Sequence, residues 1–157
     1  MKDHLFNAIR NQDLEQIKVL LSKHPELINT TDQRGSSPLL LATYFGQLET
    51  VQELLKHSPD VNRRDAAGNT ALMGVCFKGY TDMARLLLDA GADPNLTNQQ
   101  GASALIYAAG FGHDKMVSLL LNHGADPGVR DNSGQTALDQ ARMKKYNQVV
   151  KILEAGR

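Results

Sequence analysis

The chain holds a single cysteine among its 157 residues, so no internal disulfide can close, and Cys76 is expected to be a reduced, packed thiol. It lacks any run of about 18 apolar residues, the length that a membrane-crossing helix needs. Net charge is absent too, with 17 basic and 17 acidic side chains. That balance argues against nucleic-acid binding driven by the field of the whole molecule and leaves room only for a local patch. The opening Met1-Lys2-Asp3-His4 carries no apolar signal region, which predicts a cytoplasmic or nuclear home, cytoplasmic in the first instance.

What is present is repetition. Sliding the stretch Asp65 to Thr97 along the chain by its own length puts Gly35, Gly68, Gly101 and Gly134 on one column and Leu39, Leu72, Leu105 and Leu138 on another. A fixed period of that length marks stacked supersecondary units, each touching only its neighbours. In the opening stretch Ala8, Leu14, Ile17, Leu20 and Leu21 match Ala42, Leu48, Val51, Leu54 and Leu55 at an offset of 34, whereas Asn29 matches Asn62 at 33. One extra residue therefore lies near His24-Pro25-Glu26. Pro25 biases His24 away from helix, which predicts a helix end near Lys23.

Each later unit opens with a turn. Asp32-Gln33-Arg34-Gly35, Asp65-Ala66-Ala67-Gly68, Asn98-Gln99-Gln100-Gly101 and Asp131-Asn132-Ser133-Gly134 place Asp or Asn first and Gly fourth, the preference of a type I turn. Ser37, Thr70, Ser103 and Thr136 then stand where a hydroxyl can accept from an orphan helix N–H. Gly46, Gly79 and Gly112 end the first helix, and the second carries a buried stripe of Val51-Leu54-Leu55, Ala84-Leu87-Leu88, Val117-Leu120-Leu121 and Val150-Leu153.

This order of turn, TPLH-like helix start, Ala-rich helix, glycine, Leu-Leu helix and Gly-Ala-Asp loop resembles the ankyrin repeat over nearly the whole chain. The resemblance implies an all-α ankyrin-type helical repeat solenoid with short β-hairpin turns. One domain, 1–157, would contain an N-terminal cap (1–31), repeats 32–64, 65–97 and 98–130, and a C-terminal cap (131–157). Three departures from the family pattern stand out. The His of the TPLH tetrapeptide is replaced by Leu40, Met73, Ile106 and Asp139, so apolar contact must join the inner helices there. Ser58-Pro59 replaces the Gly-Ala of later loops, and a pre-proline Ser is a poor left-handed residue, so that loop is expected to differ. Lys145 stands where a glycine would end the first helix of the last repeat.

Chemistry-bearing residues fall onto the repeat columns. His57 and His123 share a column but lie two repeats apart, too far to share an ion. Asp60, Asp93 and Asp126 recur at the repeat spacing, a ladder that fits turn bonding and not a catalytic carboxylate pair. No Ser/His/Asp or Cys/His set stands outside the repeat, and the glycines lack the Lys-Ser/Thr of a phosphate loop. The expectation is a protein without catalysis, cofactor or metal.

The columns that vary are free to meet a partner. In ankyrin proteins the binding face consists of hairpin tips and the exposed side of the first helices. Mapped onto this chain, it contains Tyr44, Phe45, Phe77 and Phe111, half of the eight Phe and Tyr residues, with Tyr107 one turn away. Arg10, Arg34, Arg64, Lys78, Arg130 and Lys144 make it basic, whereas Glu15, Glu49, Glu53, Asp82, Asp89 and Asp114 fall on the second helices and their approach, which predicts a solvated outer side for them. The expectation is a monomeric protein-binding module that meets a partner of acidic surface through Arg34, Tyr44, Phe45, Arg64, Phe77, Lys78, Phe111 and Lys144. The rival reading is a binder of nucleic acid or of an anionic small molecule.

Overall fold

A computed structural model describes residues 1–156. The chain divides into two compact units, Met1–Ala71 and Leu72–Arg157. In the first, α1 (Lys2–Arg10) and α2 (Leu14–Lys23) form one antiparallel pair, and α3 (Pro38–Tyr44) and α4 (Leu48–Leu55) form the next. Helix α1 packs on α3 and α2 on α4. The extra residue near Pro25 is absorbed by a 3-10 helix, Pro25–Asn29, and α2 ends at Lys23.

The second unit repeats the arrangement. Helix α5 (Ala71–Lys78), whose first residue belongs to the first unit, leads into α6 (Thr81–Asp89), α7 (Ala104–Gly110), α8 (Asp114–Asn122), α9 (Ala137–Lys144) and α10 (Asn147–Ala155). First helices pack on first helices, α7 on α9, and second on second, α6 on α8 and α8 on α10. At seven to nine residues from α3 onward these helices are too short to persist alone, so burial of one face must hold them. Leu54, Leu87 and Leu120 are fully buried, and Leu40, Met73 and Ile106 at the TPLH histidine column are buried as well. The fourth member of that column, Asp139, does something else: it forms a capping box with Thr136.

The turns are alike in both units. Asp32 Oδ1 accepts from the backbone N–H of Arg34 and Ser36, as Asp65 does from Ala67 and Asn69, Asn98 from Gln100 and Ala102, and Asp131 from Ser133 and Gln135. These tips are bare turns, since no strand flanks them among the described residues. Ser37, Ser103 and Thr136 accept from Leu40, Ile106 and Asp139 N–H groups as helix caps. The Asp ladder bonds its own loops: Asp60, Asp93 and Asp126 accept from the N–H of Asn62, Asn95 and Gly128.

Two expectations need correction. Ser58 does take the left-handed conformation, at φ +53, as Gly91 and Gly124 do at +99 and +89. What differs is one hydrogen bond. Ala92 and Ala125 N–H donate to the Leu87 and Leu120 carbonyls at 2.9 and 3.0 Å, and Pro59 has no N–H to do so. Glu53 is not part of a solvated outer face, for it is only 9% exposed. Its column holds Val19, Leu86, Leu119 and Ile152 in the other repeats, so a carboxylate here departs from an otherwise apolar column. Burial works against its charged form, but His57 at 3.1 Å and Lys56 at 3.4 Å outweigh it and hold the carboxyl below its ordinary value.

Positive φ outside glycine occurs at Gln12, Ser58 and Lys145 among the described residues. Gln12 and Lys145 stand on the helix-ending column that Gly46, Gly79 and Gly112 occupy elsewhere. Gly74 is the reverse case: it lies inside α5, where glycine is less favourable than alanine by about 1 kcal/mol.

Candidate functional site

The exposed ends of the first helices carry the aromatic side chains, because the last turn of each helix must expose one or two positions before the chain reverses. In the first unit Tyr44 ends α3 and Phe45 caps it; their ring centroids are 5.5 Å apart in an edge arrangement. Tyr44 is 64% exposed, so it is no core residue. Arg34 sits exposed in the Asp32 turn, and Arg64 is exposed just before the Asp65 turn.

The second unit brings its residues together. Phe77, near the end of α5, and Phe111, the cap of α7, have centroids 4.5 Å apart, and Tyr107 meets Phe77 edge-on at 6.1 Å. Both Phe rings remain nearly half exposed, at 47% and 44%. Lys144, the last residue of α9, places its ammonium 5.0 Å from the Phe111 ring centroid and donates to the Gly110 carbonyl at 2.6 Å. That contact is a cation–π pair and also satisfies a carbonyl at the end of α7. Lys78 lies over the Tyr80 ring at 5.8 Å.

Supporting groups fix this cluster. The His113 Nε2–H donates to the Phe77 carbonyl at 3.2 Å. Tyr107 accepts from Asn98 Nδ2 at 2.8 Å. The role of Lys144 as a cap for another repeat is not readable from its own column. Its signal is spatial: it stands one repeat period after Phe111, and so sits beside it.

The basic character is tempered. Arg10 lies 3.9 Å from Asp32, and Arg130 lies 4.0 Å from Asp139 and donates to the Gly134 carbonyl. Asp139 is held below the ordinary carboxyl range by hydrogen bonds from Thr136, with Arg130 and Arg142 adding to it. Cys76 is fully buried, and burial drives its thiol far above the ordinary range, which leaves it inert. Three histidines are engaged locally: His57 with Glu53, His123 with the Leu119 carbonyl and Asp89, His24 with Glu26. No described helix is long and apolar enough to cross a membrane.

Comparison with known proteins adds two findings. The family described as ankyrin repeats (3 copies) matches residues 5–98 and 75–156. A stretch of 43 residues is 46% identical to the human DNA-binding protein RFXANK, covering 27% of this chain and 16% of that protein. The chain thus aligns with about a sixth of the length of that relative.

Proposed function

Because the chain belongs to the ankyrin-repeat family, whose repeats are protein-interaction modules, we propose that it is a non-catalytic binder of a protein partner. The contacting face consists of the turn tips and the first helices. The observation that carries this reading is the exposed pair Phe77 and Phe111, backed by half-buried Tyr107, beside Lys144. Burying exposed rings is the main source of interface energy, and Tyr, Phe and Arg are enriched where interfaces are tight. Lys78 belongs to the face in the second unit, Arg34, Tyr44, Phe45 and Arg64 are the contacts of the first unit, and the excess of cations in each selects a partner with an acidic surface. The protein acts as a monomer in the cytoplasm. Residues 1–157 serve as one domain of five repeats, since the repeat register continues unbroken through Ala71.

Nucleic acid is the second reading, prompted by the name of the matched human protein and by rings beside cations. The zero net charge weighs against it. The test is affinity recovery from lysate on the immobilised chain and on a Tyr44→Ala, Phe77→Ala, Phe111→Ala variant shown by circular dichroism to be folded. A protein retained by the first and lost from the second is the expected result. Equal retention would place the site elsewhere, and retention abolished by nuclease would favour the second reading.

A further inference from the structure

Two glycines interrupt the first helices of the second unit, and they are not alike. Gly110, the last residue of α7, is buried: a Cβ there would come within 2.6 Å of the Gln140 side-chain oxygen, and the Lys144 ammonium lies 4.0 Å away. The neighbouring repeat fills the space, so internal packing accounts for that glycine. Gly74 is exposed in the interior of α5, and a Cβ built on it meets nothing within 4 Å. Its φ is not positive, so alanine would fit its backbone without strain and favour the helix. The fold therefore gains nothing from the bare position. Tyr107, Gln140 and Leu41 occupy the same column in other repeats.

The bare position lies one turn before Phe77 and Lys78 on α5, and Phe77 contacts Tyr107. A strip of uncovered helix thus lies beside two aromatic rings, with the Lys144 ammonium over the adjoining Phe111 ring and the Lys78 ammonium over Tyr80. We infer that Gly74 is a specificity-determining position: its missing side chain makes a seat, bordered by Phe77 and Tyr107, for a bulky apolar side chain of an extended acidic peptide segment. The cations select the acidic flanks of that segment. Glycine at such a place lets a ligand approach the helix backbone, the use for which its helix penalty is tolerated. The inference rests on the protein-binding reading above and narrows it to one occupant.

The test uses fluorescein-labelled ten-residue peptides of Glu and Ser with one central Leu, Phe or Ala, titrated by fluorescence anisotropy at low salt. The Leu or Phe peptide is expected to bind saturably, at least about ten-fold more tightly than the Ala peptide, the scale of one buried anchor. Gly74→Ala should raise the melting temperature by about 2 to 4 °C. It should also weaken the Leu or Phe peptide by at least about five-fold and leave the Ala peptide unchanged, and Gly74→Leu should weaken it further. Unchanged peptide affinity in Gly74→Ala overturns the seat, and so does a lowered melting temperature, which would show that the fold needs the glycine. In those cases a loss in Phe77→Ala would still keep the face. If Phe77→Ala is also without effect, the face itself is wrong. Saturable binding by none of the peptides, or preference for a ten-nucleotide oligothymidylate, overturns the acidic-peptide occupant.

Discussion

Tyr44–Phe45 in the first unit and Phe77–Phe111 in the second are both exposed ring pairs, yet they are built differently. Tyr44 and Phe45 are consecutive residues, so one stretch of chain sets their geometry. Phe77 and Phe111 come from successive first helices, touch at 4.5 Å, and are braced by Tyr107 on one side and Lys144 on the other. Rings held by the packing of three helices lose less freedom when a partner covers them. The protein-binding reading therefore makes the second pair the stronger anchor, although the two look equivalent in the repeat alignment.

The largest expected effects test whether the two units fold as one. Leu54 in the first and Leu87 in the second are both fully buried, so Leu54→Ala and Leu87→Ala should each destabilise by about 2 to 5 kcal/mol. The continuous register predicts a single unfolding transition that both variants shift. Two transitions in urea, each moved by only one variant, would make the units separate domains.

Next in size is a contrast confined to the first unit. Glu53→Lys would put an ammonium at a buried position beside Lys56 and His57, and should cost about 2 to 3 kcal/mol. Glu49→Lys, at an exposed site on the same helix, should change stability by less than about 0.5 kcal/mol. The folded-state pKa of Glu53 is depressed, so its contribution is present above the unfolded pKa and lost as pH falls through the folded one. The stability gap between wild type and Glu53→Gln should thus shrink as pH falls below about 4.3. A gap unchanged down to acid denaturation would mean that the carboxylate's charge contributes nothing.

The ring comparison predicts the order of binding losses. Against whichever partner the chain retains, Phe77→Ala should cost about 2 kcal/mol, Tyr44→Ala less, and Lys78→Ala chiefly association rate at low salt. Glu49→Lys serves as the control on the opposite helix. Surface plasmon resonance separates the two rates, and a larger loss for Tyr44→Ala would reverse the comparison.

Much of this architecture is legible in the sequence, because features that recur once per repeat point to shared structure. The Asp turns, the Ser37 and Ser103 caps and the Leu stripe all follow from columns. The exceptions to a column are harder. Glu53 reads as one more outer acid until its column partners, Val19, Leu86, Leu119 and Ile152, are set beside its burial. The strut from Lys144 to Gly110 joins different columns, so the period that sets Lys144 beside Phe111 does not reveal it. The emptiness beside Gly74 depends on backbone geometry that residue identity does not carry. The division at Ala71 leaves no mark on the register.

The smallest expected effect compares the left-handed residues of the two units. Lys145 in the second unit has φ +63, and Ser58 in the first has φ +53. A left-handed residue with a Cβ costs about 1 to 2 kcal/mol, but glycine returns about 0.5 to 1 of that through the greater freedom of the unfolded chain. Lys145→Gly should therefore stabilise by up to about 1 kcal/mol. For Ser58-Pro59→Gly-Ala the sum has two further terms. Alanine at 59 restores an N–H that can reach the Leu54 carbonyl, as Ala92 reaches Leu87 at 2.9 Å, while loss of the proline loosens the unfolded chain. These two terms are of similar size and opposite sign, so the double variant should gain about as much as Lys145→Gly. Thermal melts of the two variants against wild type decide it. If the double variant melts lower while Lys145→Gly melts higher, Pro59 stabilises its loop by more than the missing hydrogen bond would, and the difference between the two loops lies in proline rather than in the left-handed serine.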